Sequence, residues 1–359
     1  MTVSDIRQYT AVLSMLEEPA FLVRGERVLY SNDEGKRLAG TDLTDRLITQ
    51  LLPDFVVNSQ APCFAASVSI NKQSYTVRMT AVNGYRSYIL SADTAGSPPF
   101  EVMLSSLGTP VSNIGFAADS MLKAATERGD TELIRRCGVM LRSYYQINSV
   151  ILNTVMLRDL RNGRVLFRPE QVDMTKLCSE AIALSEKLGF AGRAELSPDT
   201  GEGMTVPADP DHIMHILMSL LSNSLRCSGA NGKIKITLHK TADMLVMQVD
   251  DNGCGITEEE LPFVFSKYAR TPDLTGHPGT GMSLPVSAGL ARLHGGTVLI
   301  ESAGRNRGTS VRVLLSLNTK ANSRLSSGRT AYADGEKLRM AMTHLASCMS
   351  SEAFEKSIN

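Results

Sequence analysis

The sequence predicts an α+β protein of several domains, and three observations support this prediction. The chain has 359 residues, whereas one ordinary domain uses roughly 100–200. Its first quarter contains short alternating apolar and polar runs typical of strands, a central stretch repeats apolar residues every three or four positions, and the stretch after it mixes both patterns. We therefore expect two or three hydrophobic cores, each formed by its own part of the chain.

The composition is that of an ordinary globular protein without a charge bias. Hydrophobic residues make up 43% and charged residues 21%, and 37 basic residues balance 37 acidic ones. This balance excludes a global charge that would attract nucleic acid or an anionic membrane. The N-terminus has no basic end followed by an apolar core, and no run approaches the roughly 18 apolar residues that span a bilayer. We expect a soluble, cytoplasmic protein with no nucleic-acid partner and no membrane span.

The cysteines and histidines do not form a recognisable ligand set. The six cysteines are scattered without a CxxC pair, which is typical of reduced thiols rather than of a disulfide framework or a zinc site. His212 and His215 are three residues apart on a predicted helix, but no nearby carboxylate or cysteine completes a metal site. We interpret both histidines as structural.

Residues 1–95 are predicted to form a small α+β domain. An amphipathic helix ends before Pro19, and apolar runs on either side of the turn Arg24 to Arg27 predict a hairpin. Alternating patterns predict further strands over Phe64 to Ile70, Tyr75 to Val82 and Ser87 to Ala92. This order of elements resembles a PAS sensor domain, and a generic dimerisation domain is the alternative. The absence of histidine in this stretch excludes a His-ligated haem.

Residues 100–160, which follow a Gly-, Ser- and Pro-containing linker at 93–99, are predicted to form a helical hairpin turning at Glu127 to Asp130. Two helices with one apolar seam each cannot bury both seams alone, so we expect a homodimer built as a four-helix bundle. The first predicted seam comprises Leu104, Leu107, Val111, Ile114, Ala118, Met121 and Ala125. The second comprises Ile134, Cys137, Leu141, Tyr144, Asn148, Ile151 and Val155.

Residues 165–318 contain three widely spaced motif-bearing stretches, which we call islands, at 209–228, 249–256 and 276–296. A strand at Leu166 to Glu170 is expected to open this domain, and Asp209 or Asp211 can cap the helix of the first island. Paired strands lead into the second island, and a glycine-rich run opens the helix of the third.

Together the islands resemble the N, G1 and G2 boxes of the histidine-kinase-type ATPase fold. This GHKL superfamily has an α/β-sandwich (Bergerat) fold and also contains gyrase, Hsp90 and MutL. The resemblance implies ATP and Mg²⁺ as cofactors. It implies that Asn223 coordinates Mg²⁺, that Arg226 faces phosphate and that Asp251 accepts a hydrogen bond from the adenine amino group.

The same resemblance extends to residues around the nucleotide. It implies that Gly253 and Gly255 bring the backbone close to the base. Lys267 and Arg270 lie in a stretch similar to the F box and are candidate phosphate contacts, with solvated charges as the alternative. Gly279, Thr280 and Gly281 lead into a predicted helix, and their backbone N–H groups can bind phosphate.

Three positions depart from the family pattern. Ser219 replaces an earlier Asn of the N box, and Cys227 stands where an aromatic residue or His often borders the base. Ser283 replaces a glycine in the family run, which here reads Gly-Thr-Gly-Met-Ser-Leu. Because Ser283 adds a side chain where the chain comes close to phosphate, we expect a reduced nucleotide affinity.

The hairpin resembles the dimerisation and phosphoacceptor (HisKA) hairpin of sensor kinases but lacks its histidine. Ser105 stands at the acceptor position and Ser106 at the position of the acidic neighbour, and residues 1–211 contain no histidine. A serine hydroxyl needs an added base to attack a phosphoryl group. Thr109 is retained one turn on, where such kinases position water for dephosphorylation; a structural Thr-Pro pair is the alternative.

We therefore interpret the chain as a cytoplasmic histidine-kinase-like two-component signalling protein that binds ATP-Mg²⁺ and is degenerate in histidine autophosphorylation. A homodimer, a heterodimer with another kinase and a response regulator receiver domain are the expected partners. A GHKL-type serine kinase and a non-enzymatic regulatory dimer are the alternatives. Residues 319–359 are predicted to be a tail with one short helix whose role the sequence does not indicate.

Overall fold

A computed structural model describes most of the chain: residues 10, 13–14, 16, 18–58, 63–71, 73–82, 84–92, 107–197, 204–229, 232–265, 281–318, 334–349, 354 and 357. The predicted first helix falls mostly outside these residues, and the predicted linker at 93–99 does so completely.

Among the described residues from 18 to 92, the chain forms five antiparallel strands and two short helices. The predicted hairpin is confirmed, with Gly25 in the left-handed conformation (φ 61°) at its turn. The first helix begins where the side chain of Asn32 accepts a hydrogen bond from Gly35 N–H at 2.9 Å. The strands are β1 (Ala20–Arg24), β2 (Arg27–Ser31), β3 (Cys63–Ile70), β4 (Gln73–Val82) and β5 (Tyr85–Ala92). The helices are α1 (Asp33–Ala39) and α2 (Asp54–Val57), with a 3-10 turn at Ile48–Gln50 between them.

The predicted helical hairpin consists of α3 (Gly108–Arg128) and α4 (Thr131–Arg161). Gly129 ends α3 with φ 68°, and the side chain of Asp130 caps α4 through the N–H of Leu133 at 3.0 Å. The first predicted seam divides between two faces of α3: Val111, Ala118 and Ala125 are buried, whereas Ile114 and Met121 are exposed on the single chain. The residues of α3 that are buried are Val111, Gly115, Ala118, Leu122 and Ala125.

The next part of the chain places three helices against a sheet. The predicted strand at Leu166 to Glu170 is wrong, because pairing begins only at Glu170, opposite Ala208. The strands are β6 (Glu170–Asp173), β7 (Ala194–Leu196), β8 (Thr205–Ala208), β9 (Ile234–Lys240), β10 (Met244–Asp251), β11 (Thr297–Glu301) and β12 (Thr309–Ser316). The helices are α5 (Met174–Ser185), α6 (Pro210–Cys227) and α7 (Ser283–Leu293), with a π turn at Glu186–Phe190 and a 3-10 turn at Leu261–Phe263.

One ten-stranded sheet runs through both parts, in the order β2-β1-β5-β4-β3-β11-β12-β10-β9-β7, while β6 and β8 form a separate pair. The two parts meet where β3 pairs antiparallel with β11, at Ala65 opposite Ile300 and Ala66 opposite Leu299. The hydroxyl of Thr297 donates to the backbone oxygen of Ser67 at 2.5 Å. The N-terminal strands are therefore hydrogen-bonded to the sheet that carries the three islands.

The tail helix α8 (Asp334–Leu345) packs against α4, α5 and α6. The predicted amphipathic pattern is confirmed at Met342, Leu345 and Met349, which are buried in the same core as the helices they contact. No helix in the described part of the chain is long and apolar enough to cross a membrane. The mixed α and β fold class expected from the sequence is confirmed.

Candidate functional site

The site is built on α6, and the start of that helix is fixed by Asp209. One carboxylate oxygen of Asp209 accepts hydrogen bonds from the N–H groups of Asp211 and His212 at 3.2 and 3.4 Å, and the other accepts from Arg168 N–H at 2.8 Å. The predicted apolar face of α6 is completely buried at Ile213, Ile216, Leu217, Leu220 and Leu221. A helix held at its start and along one face presents its C-terminal end, with Asn223 and Arg226, in a defined position.

His294 supports the same helix start. Its Nε2 accepts a hydrogen bond from Asp209 N–H at 3.0 Å, and its Nδ1 lies 2.8 Å from the carbonyl oxygen of Leu290. These contacts are satisfied by a neutral ring with the proton on Nδ1. Burial lowers the pKa of His294 to about 4, which keeps this neutral form at physiological pH.

Asp251 ends β10 and is held by three hydrogen bonds. Its Oδ1 accepts from the N–H groups of Gly253 and Thr309 at 2.9 and 3.2 Å, and its Oδ2 accepts from the hydroxyl of Ser224 at 3.0 Å. Burial raises the pKa of Asp251, while these hydrogen bonds oppose the rise. The carboxyl group is thereby fixed at the C-terminal end of α6, with acceptor capacity left on Oδ2.

Asn223 lies next to Ser224 and forms a polar cluster with Arg226 and Ser283. The guanidinium of Arg226 donates to Oδ1 of Asn223 at 3.1 Å, and Nδ2 of Asn223 donates to the Ser283 hydroxyl at 3.3 Å. The hydroxyl of Ser283 also lies 3.5 Å from Oδ1. The structure thus brings three residues singled out in the sequence into one contact network, and it gives Ser283 a specific partner.

The described glycines of the site are required by the packing of the protein itself. A Cβ atom at Gly253 would lie 2.9 Å from the backbone of Cys227 and the carboxylate of Asp251. At Gly255, where φ is +64°, it would lie 2.1 Å from the carbonyl oxygen of Gly304. Gly281 precedes α7 with φ 65°. The closeness of these glycines to a bound base or phosphate stays a prediction.

Several predicted residues are not part of this cluster. Thr109 is exposed in the first turn of α3, where Pro110 does not break the helix. Ser105, Ser106, Lys267, Arg270, Gly279 and Thr280 lie outside the described residues. Their predicted roles stay predictions.

The two histidines of α6 belong to different surroundings. His212 stacks on Phe167, with ring centroids 6.2 Å apart, whereas His215 meets His344 edge to face at 4.6 Å. Over the ranges that the structure describes, no three His, Cys, Asp or Glu side chains are grouped as a metal would require.

Sequence reasoning missed two contributors to the site. The Ser224 hydroxyl and the Thr309 N–H both hold Asp251, from positions 27 and 58 residues away in the chain. Neither has a local pattern that could have identified it, because a hydrogen bond between distant residues depends on the fold alone.

Comparison with known proteins identifies the family. Residues 208–319 match the family described as histidine kinase-, DNA gyrase B-, and HSP90-like ATPase. Over 199 residues the chain is 29% identical to the adaptive-response sensory kinase SasA of Synechococcus sp. (strain CC9311), covering 55% of this chain and 50% of the relative. Residues 208–319 therefore belong to this ATPase family, and the chain is similar to sensor histidine kinases. The matched residues include Asn223, Arg226 and Asp251, and they form a GHKL-type ATPase domain.

Other relatives cover shorter parts of their own chains. The SasA protein of Prochlorococcus marinus subsp. pastoris (strain CCMP1986 / NIES-2087 / MED4) is 31% identical over 140 residues, which are 38% of each chain. The chain therefore spans about half, or less, of the length of the curated relatives it matches. Full-length ShkA, solved in complex with AMPPNP, is similar with a TM-score of 0.49 at 18% identity, covering 63% of this chain and 47% of that one.

Proposed function

We propose that this sensor histidine kinase homologue binds ATP with Mg²⁺ at the joined ends of α6 and β10 and does not autophosphorylate on histidine within residues 1–211. The observation that carries the proposal is the carboxyl group of Asp251, held at 2.9–3.2 Å by Ser224, Gly253 and Thr309 beside the cluster of Asn223 and Arg226.

The chemistry of these side chains fits an adenine nucleotide. A carboxylate only accepts hydrogen bonds, so Asp251 favours an amino group and disfavours the carbonyl that guanine carries at the same position. The amide oxygen of Asn223 is a suitable ligand for Mg²⁺, and the guanidinium of Arg226 is suited to phosphate. When bound, the nucleotide would supply the phosphoryl group, while these residues bind and orient it.

The Asp251 contact predicts a large effect of removing one carboxylate oxygen. Asp251→Asn should weaken ATP-Mg²⁺ binding by about 1.5–3 kcal/mol, the usual contribution of a hydrogen bond to a charged group. Isothermal titration calorimetry measures this loss directly.

The neighbouring Asp250 provides a matched control. Both of its carboxylate oxygens accept from Nε2 of Gln248, at 2.9 and 3.0 Å. Asp250→Asn makes the same chemical change one residue away and should leave the affinity unchanged. Equal losses in the two variants, or no ATP binding by the wild type, would contradict the assignment of the adenine contact.

The missing acceptor histidine carries the second half of the proposal. Ser105 occupies the acceptor position, and a serine hydroxyl cannot attack a phosphoryl group efficiently without a base. Purified protein incubated with γ-labelled ATP should gain no acid-labile phosphate in residues 1–211. Acid-stable phosphate on Ser105 or a partner would instead identify a serine kinase, and the absence of nucleotide binding would identify a non-enzymatic regulatory dimer.

We propose a second copy of this chain as the partner of the hairpin. Apolar side chains of α3 and α4 remain exposed on the isolated chain, and Phe116 is 78% exposed. Such a surface favours a four-helix arrangement, formed either by a homodimer or with the hairpin of another kinase. The exposed apolar residues are Leu107, Ile114, Phe116, Met121, Val139, Met140, Ile147 and Leu152.

A response regulator receiver domain is the proposed signalling partner. The exposure of Thr109 at the start of α3 leaves its hydroxyl accessible to such a partner. Its proposed role is to assist dephosphorylation of the regulator. Loss of regulator dephosphorylation in Thr109→Ala, with retention in Thr109→Ser, is the expected result.

A further inference from the structure

The tail of the chain forms a structure that we call the C-terminal clamp, consisting of residues 334–349 and Phe354. Its apolar side is buried in the core that also holds the helices of the ATPase domain and the hairpin. Phe354, beyond the helix, is completely buried. The buried apolar residues of the clamp are Ala341, Met342, Leu345, Ala346, Met349 and Phe354.

The clamp binds two helices of the ATPase domain. Lys337 forms an ion pair with Glu180 of α5. The Ser222 hydroxyl of α6 donates to the carbonyl oxygen of His344 at 2.8 Å, and the Cys348 thiol donates to the carbonyl oxygen of Ser222 at 3.2 Å. These contacts tie the clamp to the helix that also carries Asn223 and Arg226 of the candidate nucleotide site.

The clamp also binds α4 of the hairpin. Nε of Arg142 donates to the carbonyl oxygen of Ala346 at 3.2 Å. The ring of Tyr145 lies 6.1 Å from that of Phe354, tilted by 57°, which is a favourable arrangement for an aromatic pair. The clamp thus contacts elements on both sides of the connector 162–169, which joins the hairpin to the ATPase domain without a helix or strand.

Two polar side chains of α6 contact the clamp. His215 meets the ring of His344 at 4.6 Å, and the Ser219 hydroxyl lies 3.5 Å from Nδ1 of His344. Buried polar groups of this kind are costly unless they find partners. The Ser219 departure noted in the sequence is therefore part of the surface that receives the clamp.

A direct contact between hairpin and ATPase domain exists as well. The Thr154 hydroxyl of α4 lies 3.2 Å from the sulfur of Met282, and Leu160 packs beside Gly289 of α7. This contact lies at the end of α4 next to the connector, whereas the clamp engages α4 nearer its middle. The two contacts together hold the long helix along its length.

We propose that the C-terminal clamp is a releasable contact that restrains the ATPase domain against α4, and that undocking of the clamp permits the two to move relative to one another. The clamp is the part suited to release. It packs on helices and can leave without opening the sheet, and its charged contact with Glu180 is accessible to solvent at its edge. The proposal concerns domain movement and does not depend on nucleotide binding.

Hydrogen exchange measured by mass spectrometry on the full chain tests the proposal. Amides of the connector are held in place by contacts such as Arg164 N–H to the Asp159 carbonyl at 2.8 Å, so their exchange reports local opening. Lys337→Glu, which places two carboxylates together, should speed exchange in 334–345 and in the connector about three- to tenfold. Phe354→Ala should speed both by about 100-fold or more, because a fully buried ring is lost.

The charge swap provides the matched control. Combining Lys337→Glu with Glu180→Lys restores an ion pair of opposite polarity, and both segments should return close to the wild-type rate. Exchange in the β1–β2 hairpin, far from the clamp, should be the same in all variants. Faster exchange in 334–345 with an unchanged connector would overturn the proposal, as would a charge swap that remains as fast as Lys337→Glu.

Calorimetry with ATP-Mg²⁺ on the same samples separates this proposal from the proposed function. A chain that binds no nucleotide but shows the expected exchange pattern would refute the nucleotide site and retain the clamp. A chain that binds nucleotide, but whose connector exchanges at the wild-type rate in every variant, would retain the nucleotide site and refute the clamp.

Discussion

At the scale of single residues, the hydroxyl of Ser283 is the feature that most changes how the site is understood. The sequence predicts that Ser283 weakens nucleotide binding by adding bulk near phosphate. In the structure the hydroxyl instead contacts both the amide nitrogen and oxygen of Asn223, at 3.3 and 3.5 Å. Its effect would then come from engaging the proposed Mg²⁺ ligand rather than from crowding phosphate.

This contact leads to a prediction for Ser283→Ala. Removing the hydroxyl frees Asn223 from one neutral hydrogen bond, so ATP-Mg²⁺ affinity should rise about two- to tenfold, corresponding to about 0.5–1.5 kcal/mol. Calorimetry measures the affinity of Ser283→Ala and of a second variant, Ser283→Gly. Both variants lack the hydroxyl, but only Ser283→Gly also makes the backbone more flexible, so their comparison separates the two effects. A fall in affinity in both would show that the hydroxyl itself contacts the nucleotide.

The residues of the site were only partly predictable. Asn223 and Asp251 were singled out by the resemblance to the ATPase family, and each lies near the end of a strongly patterned element, a capped helix and an alternating strand. Ser224 has no such signal, since its role depends on a carboxyl group 27 residues away. Spacing within one element predicts which face a side chain lies on, but it does not predict what another element brings to it.

At the scale of elements, helix ends were predicted well and helix faces less well. Asp209 caps α6 as expected, and the hairpin turns at Gly129 and Asp130, within the predicted turn. These signals are local, because capping uses groups within a few residues. The periodicity of α3 does not separate apolar residues that pack within the hairpin from those left exposed on the single chain, since both occur at similar spacings, as Val111 and Ile114 illustrate.

The contact between α8 and α6 predicts a dependence of stability on pH. Burial lowers the pKa of His344 to about 4, and burial also lowers that of His215, next to it. Between pH 6.5 and about 4 the unfolded chain binds a proton at His344 that the folded chain does not bind. The free energy of unfolding is therefore highest above pH 6.5 and decreases as the pH falls from 6.5 toward 4. For His344 the loss is on the order of 3 kcal/mol.

Denaturant unfolding at pH 7.5, 6 and 5 measures this dependence. His344→Gln should make the loss of stability between pH 6 and 5 smaller by about 1 kcal/mol, because one group that binds a proton on unfolding is absent. Thr343→Ser, at the adjacent position of α8, changes no titrating group and should keep the wild-type dependence. An unaltered slope in His344→Gln would contradict the buried neutral state of this ring.

At the scale of the whole molecule, the exposed apolar surface of the hairpin predicts self-association. Ile114→Glu would place a charge without a partner in a dimer interface, which costs about 3 kcal/mol or more. Sedimentation should therefore show a dimer for the wild type and a monomer for this variant at the same concentration. Ser179→Glu adds the same charge at an exposed position of α5, outside the hairpin, and should remain dimeric. Monomeric wild type would contradict the expected bundle.

The arrangement of the parts was the least predictable property. Alternating patterns correctly indicated most of the strands, yet nothing in β3 or β11 indicates that they pair with each other. A strand pattern records which side chains are buried, whereas the choice of an edge partner depends on where whole sheets meet. The same applies to α8, whose amphipathic pattern was evident while its binding surface was not.

The pairing of β3 with β11 has a practical consequence for the modular use of this ATPase domain. Excision of residues 165–318 would uncover the backbone of β11 beside Ile300, a side chain that is fully buried in the intact chain. An uncovered apolar edge strand is a template for intermolecular pairing and aggregation. Transplanting this ATPase domain onto a different sensor would therefore require a substitute edge strand, and a chimera joined only through the helical hairpin would lack one.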